Sequence, residues 1–124
     1  MNGLHLTADL RECAASAALM TEPDALRALC LRAVTDAGLA AVGELFHRFG
    51  APDDRQCGIT GVVLLAESHL AVHTWPEMGG VTIDAYVCNF GADNSQRAHV
   101  LVDALIAAFA PARVQRQQLL RSAP

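Results

Sequence analysis

Lysine is absent from this 124-residue chain. All nine cations are arginines against thirteen carboxylates, and the formal charge of −4 leaves no clustered basic footprint of the kind nucleic acid requires. An enzyme that holds pyridoxal phosphate on a lysine is also excluded. The four cysteines, Cys13, Cys30, Cys57 and Cys88, include no Cys-x-x-Cys unit for zinc or dithiol redox work, and in a reducing compartment they are expected to be free thiols. No apolar run approaches the roughly 20 residues that span a bilayer, and "MNGLHLTADL" lacks the basic flank and long apolar region of a signal peptide. The expectation is a soluble cytoplasmic protein with neither nucleic-acid nor membrane partners.

Hydrophobic residues are plentiful at 52%, and the length suits one domain, residues 1–124, with one core. "GLHLTADL" (3–10) alternates as a first strand should. "TEPDALRALCLRAVTDAG" then carries a capping-box pattern of Thr21 and Asp24, a proline in the first turn, and apolar spacing through Leu26, Leu29, Cys30, Ala33, Val34 and Ala37, with Gly38 as the stop. Residues 39–49 read as a strand and "GAPDDRQCG" as a surface loop. "ITGVVLLA" (59–66) is apolar enough for a strand covered on both faces. "HLAVHTW" continues extended to Pro76, and "PEMGG" turns. "VTIDAYVCN" (81–89) alternates, with Cys88 on its polar face. Asp93 or Asn94 caps a second helix whose expected buried stripe is Val100, Leu101, Ala104, Leu105, Ala108 and Phe109, and the segment after Pro111 supplies an edge strand. The order predicts an α+β two-layer sandwich, a mainly antiparallel sheet with two helices on one face.

One stretch departs from this pattern. "LLAESHLAVHTW" (64–75) sets a carboxylate, a hydroxyl and two imidazoles inside the most hydrophobic part of the chain, where an unpaired polar group costs free energy. On a helix His69 and His73 would share a face and chelate a metal, but on a strand they stand about 13 Å apart, so no metal is expected. A Ser-His-Asp hydrolase is disfavoured because Ser68 lacks the Gly-x-Ser-x-Gly elbow. The plainest alternative makes Glu67, Ser68 and His69 a β-turn and His73 a satisfied core histidine.

The stretch "ESHLAVHTWPE", followed by "DAYVC", resembles the processing and active-site segment of the prokaryotic S-adenosylmethionine decarboxylases, which make a pyruvoyl cofactor from their own chain. "GLHLTADL", "ELFHRF" and "TGVVLLAESH" extend the resemblance over most of the sequence. It implies a proenzyme that cuts itself between Glu67 and Ser68 into a β chain, 1–67, and an α chain, 68–124. The Ser68 hydroxyl attacks the preceding carbonyl, an ester replaces the amide, and β-elimination releases the Glu67 carboxylate, with strain at a tight turn assisting the first step. His73 matches the family's base for the Ser68 α-proton, work that suits an imidazole near neutrality. Thr60 stands where many members have a serine that assists processing; it keeps the hydroxyl and adds a methyl.

The resemblance further implies that the pyruvoyl group derived from Ser68 forms a Schiff base with the substrate amine and accepts the electrons left by departing carbon dioxide. Cys88 matches the donor that returns a proton to the substrate α-carbon, which leaves Cys13, Cys30 and Cys57 as structural residues. Phe49 matches an aromatic that stacks on adenine, Glu77 a carboxylate on the ribose, and Trp75 a lining residue; plain core packing is the alternative for Phe49 and Trp75. The substrate implied is S-adenosylmethionine, on the route to spermidine. Arginine or ornithine on the same scaffold is the alternative, for which Asp53, Asp54 or Asp84 would supply acidic contacts. A non-enzymatic paralogue that modulates a partner is a third reading, weakened by the presence of Ser68, His73 and Cys88. A homodimer or higher homo-oligomer, with active sites near the subunit interface, is also implied.

Overall fold

The computed structural model describes residues 2–51 and 57–122. Six strands form one sheet: β1 (Asn2–Cys13), β2 (Ala41–Arg48), β3 (Ile59–Leu65), β4 (Ser68–Trp75), β5 (Gly80–Cys88) and β6 (Pro111–Ser122). Their order is β2-β3-β4-β5-β1-β6, and every neighbouring pair is antiparallel. Helices α1 (Ala17–Thr21), α2 (Pro23–Asp36) and α3 (Ser95–Phe109) complete the expected two-layer α+β sandwich. No helix among the described residues is long and apolar enough to cross a membrane.

Antiparallel pairing puts opposed residues on one face, so the register sorts every strand into a helix side and an open side. On the helix side lie Leu4, Leu6, Ala8 and Leu10 of β1, Ile59, Val63 and Leu65 of β3, Leu70 and Val72 of β4, and Val81, Ile83, Ala85 and Val87 of β5, all buried. Helix α2 covers them with Leu26, Leu29, Cys30, Ala33 and Val34, its C-cap Ala37 is buried as well, and α3 adds Ala98, Leu101, Val102, Leu105 and Phe109. Each fully buried aliphatic side chain contributes roughly 1.5–3 kcal/mol.

The structure corrects four local expectations. The Thr21 capping box does not form: α2 begins at Pro23 with Glu22 at its N-cap, while Thr21 ends the short helix α1 and donates its hydroxyl to Ala17 O at 2.8 Å. The stripe of α3 is rotated, leaving Val100 and Ala104 exposed, because a helix apolar on most of its circumference permits more than one buried line. Strand β3 is covered on one face, with Leu64 51% exposed on the other. The turn between β3 and β4 is Ala66–Glu67, two residues long, so Ser68 opens β4 instead of lying within a turn with Glu67 and His69. Asp53 and Asp54 lie outside the described residues.

One buried polar side chain fixes the β3–β4 pair against the helical layer. Thr74, 3% exposed, donates its hydroxyl to Met20 O of α1 at 2.7 Å and accepts the Ile59 N–H at 2.9 Å. Gly58 makes the contact possible, since a Cβ there would fall 2.0 Å from Thr74 O. Both partners of the hydroxyl are backbone groups, so its loss strands a buried N–H and a buried C=O at a cost of about 1–3 kcal/mol. Thr74→Val, nearly equal in shape, is expected to lower stability by that amount in urea unfolding without changing the slope of the transition.

Candidate active site

Thr60, His73, Trp75 and Cys88 lie on the open side of the sheet, whereas Ser68, paired with buried Leu65, opens β4 at the hairpin end with the parity of the helix side. At the β3–β4 hairpin, Leu65 pairs with Ser68 across the two-residue turn, and Glu67 adopts φ +60°. That left-handed conformation costs a non-glycine residue about 1–2 kcal/mol. Backbone strain therefore sits in the residue directly before Ser68. The Ser68 hydroxyl donates to Ala66 O at 3.2 Å. Beside the turn a cavity of about 480 Å³ is lined by Glu67, Tyr86, Cys88 and Phe90. Cys88 ends β5, and the register that opposes His69 to Tyr86 carries Cys88 toward the turn.

At the other end of β4 a second cavity, about 470 Å³, gathers Phe49, Thr60, His73, Trp75 and Glu77. Pairing in register brings the Thr60 hydroxyl within 3.0 Å of His73 Nδ1. The His73 and Trp75 rings stand 5.8 Å apart, and His47 meets Phe49 edge-on at 4.7 Å. Phe49 and Trp75 are 52% and 36% exposed, so neither is core packing. Glu77 sits in the 3₁₀ turn Pro76–Met78, closed by Gly79 at φ +62°.

The structure thus forms two groups, Glu67 with Ser68 and Cys88, and Thr60 with His73, Phe49, Trp75 and Glu77. They are apart. Five residues of strand separate Ser68 from His73, about 16 Å at the usual rise. Between them, at mid-face, Asp84 accepts or shares a hydrogen bond with His5 Nε2 at 3.1 Å, and the Arg121 guanidinium lies 5.0 Å from the centre of the Tyr86 ring.

Of the remaining thiols, only Cys30 is set apart by full burial. Cys30, fully buried in α2, is pushed up to about 12 by desolvation, and Cys13 is raised by the same cause. Neither is suited to proton exchange at neutral pH. Cys57 is half-buried before Gly58.

A sequence profile described as S-adenosylmethionine decarboxylase matches residues 4–122. The chain belongs to this family. An S-adenosylmethionine decarboxylase proenzyme of Aquifex aeolicus is 36% identical over 115 residues, which are 93% of this chain and 77% of the relative. One from Picrophilus torridus is 34% identical over 96% of this chain and 83% of its own length. The crystal structure of the adenosylmethionine decarboxylase from Aquifex aeolicus superposes with a TM-score of 0.83 at 34% identity, covering 98% of this chain and 92% of that one. All are named for S-adenosylmethionine, and none supports the arginine or ornithine alternative.

Within this decarboxylase scaffold, reading the sequence missed Tyr86 and Phe90, which share the Cys88 cavity, and His47, which pairs with Thr60. Tyr86 was legible, because it alternates with Cys88 on the polar face of "VTIDAYVCN"; Phe90 follows the strand, where alternation stops. The difference among thiols is measurable. Alkylation of the folded protein at pH 8 is expected to modify Cys88, which borders an open cavity, and to leave Cys30 untouched until urea is added, as peptide mapping would show.

Proposed function

We propose that this chain is a self-processing S-adenosylmethionine decarboxylase that cuts itself between Glu67 and Ser68 and works as a homodimer. The carrying observation is that Glu67, in a strained turn directly before Ser68, lines one cavity with Cys88. Cleavage and proton donation then belong to one place. The residues fit a prosthetic group made there, since the Ser68 hydroxyl is already within hydrogen-bond reach of turn backbone and Glu67, the residue directly before it, lines the cavity.

Processing follows from the residues. Attack by Ser68 Oγ on the Glu67 carbonyl carbon breaks the C–N bond and leaves an ester. Loss of the Ser68 α-proton to a base expels the Glu67 carboxylate, and water then replaces the nitrogen, which departs as ammonia. His73 is the base in this reading, and Thr60 orients that ring through Nδ1, leaving Nε2 for the proton. The pyruvoyl group at position 68 supplies a ketone that holds the substrate amine and an electron sink for the pair released with carbon dioxide. Cys88 returns a proton to the substrate α-carbon. Phe49 stacks on adenine, for which roughly 1–3 kcal/mol is usual, Glu77 accepts from the ribose hydroxyls, and Trp75 walls the cavity.

His73 is too far along β4 to reach Ser68 of its own chain. A second copy removes the difficulty: if two open sheet faces pack about a two-fold axis, the His73 end of one protomer lies over the Ser68 end of the other, and two equivalent composite sites form. The open face is suited to burial, since Leu45 and Leu64 stand on it 74% and 51% exposed, next to Val62 and Ala71.

Intact mass of the purified protein is expected to give two species, residues 1–67 and 68–124, the second blocked by a carbonyl that hydroxylamine traps; a single uncut chain would sink the proposal. Ser68→Ala stays whole and inactive. The composite site is tested by mixing. Ser68→Ala and His73→Ala chains each remain uncut alone, but co-expressed they are expected to yield a cut His73→Ala chain, processed by its neighbour's imidazole. No cleavage in the mixture would place both groups within one protomer.

A further inference from the structure

The Tyr86 ring, one wall of the Cys88 cavity, owes its position to a missing side chain on the neighbouring strand. Tyr86 pairs with His5 across the β1–β5 ladder, but its ring leans along β1 to Gly3, the residue that pairs with Cys88. A Cβ at Gly3 would stand 2.7 Å from Tyr86 Cε1 and 2.8 Å from the tyrosine hydroxyl oxygen, well inside the separation at which non-bonded atoms attract. The far end of the ring fills the space that a side chain at position 3 would take. An aromatic can reach its diagonal neighbour in an antiparallel pair, and here it does so because that neighbour is a glycine.

Three further groups bound the ring. The imidazoles of His5 and His69 flank it, with ring centres 6.3 Å and 5.9 Å away, and the Arg121 guanidinium lies 5.0 Å from its centre. Gly3 also pairs with Arg121, so Arg121, Gly3 and Cys88 form one row across β6, β1 and β5. Tyr86 lies in the gap at the middle of that row, and a planar guanidinium is suited to stack on an aromatic placed there. The side of the ring left open by these groups is the cavity that it lines with Cys88. Bulk added at position 3 therefore drives the ring toward the thiol.

We infer that Gly3 is a positioning residue: by leaving room for the Tyr86 ring over β1, it keeps the Cys88 thiol open to the cavity. The consequence for catalysis rests on the proposed role of Cys88 as proton donor, whereas the geometry does not. Thiol access is therefore measured in Ser68→Ala chains, which stay uncut, as the rate at which iodoacetamide alkylates Cys88, followed by peptide mapping. Turnover is measured separately in chains that keep Ser68.

Gly3→Ala is expected to slow Cys88 alkylation about tenfold, because a displaced ring covers the sulfur. The Gly3→Ala, Tyr86→Leu double variant is expected to match Tyr86→Leu within about twofold, since the shorter side chain no longer needs the gap. In processed enzyme Gly3→Ala is expected to lower kcat about tenfold, with cleavage complete by mass and KM within about twofold. Equal slowing of alkylation with and without Tyr86 would overturn the inference, tracing the effect to Val87 O, which lies 2.8 Å from the same Cβ. An unchanged rate would overturn it as well. Should that backbone contact keep Gly3→Ala from folding, Tyr86→Trp decides alone: its larger ring overfills the gap beside an unaltered glycine, and a thiol alkylated as fast as before would sink the idea. Slowed alkylation with an unaltered kcat would remove the part of Gly3 in the reaction together with the role proposed for Cys88, and the uncut chains distinguish that outcome from a failure of the geometry.

Discussion

Strand alternation along β4 is the constraint on which both core and site depend. Leu70, Val72 and Thr74 face the helices, and His69, Ala71 and His73 face the open side. A slip of one residue would exchange the two sets, burying imidazoles and exposing the core. The Thr74 hydroxyl resists such a slip directly, because it joins β4 to the backbone of β3 and α1 at a single point. The residues that make the fold stable and those proposed to make it reactive are thus interleaved on the same eight-residue strand.

The open face is graded from end to end. One end carries the strained turn and Cys88, the other the Thr60–His73 pair with its aromatic and acidic neighbours, and the His5–Asp84 pair lies between. Polar groups at mid-face satisfy one another, and exposed aliphatics flank them, Leu45 and Leu64 toward β2 and β3 and Leu119 on β6. Such a face is apolar enough to be covered and polar enough to specify what covers it. A second copy in two-fold register satisfies both demands and also joins the two ends, so the proposed assembly and the proposed chemistry share one geometric cause.

Much of the architecture was legible in the sequence because period-two and 3.6-residue patterns are strong where one face is buried. "VTIDAYVCN" and the α2 segment show this plainly. Helix α1 was not legible, as five residues give too little periodicity, and the α3 stripe was ambiguous because aliphatic residues surround much of its circumference. The apolar character of β3 suits a strand covered on both faces; in the structure Leu64 is exposed, and the second cover must come from outside the protomer if it comes at all. The resemblance supplies expected site residues, but not their arrangement. Ser68 and His73 are near one another in the chain, and only the extended geometry of a strand reveals that closeness in sequence is distance in space.

The strand order β2-β3-β4-β5-β1-β6 has a bearing on what a break after Glu67 would do. The leading piece would keep β1, β2 and β3, and the trailing piece β4, β5 and β6. Because β1 lies between β5 and β6, the pieces are clasped like fingers of two hands, meeting along three ladders and a common core. Severance at the hairpin would free a chain end for chemistry without letting either piece drift away, and neither could be expected to fold faithfully if made alone.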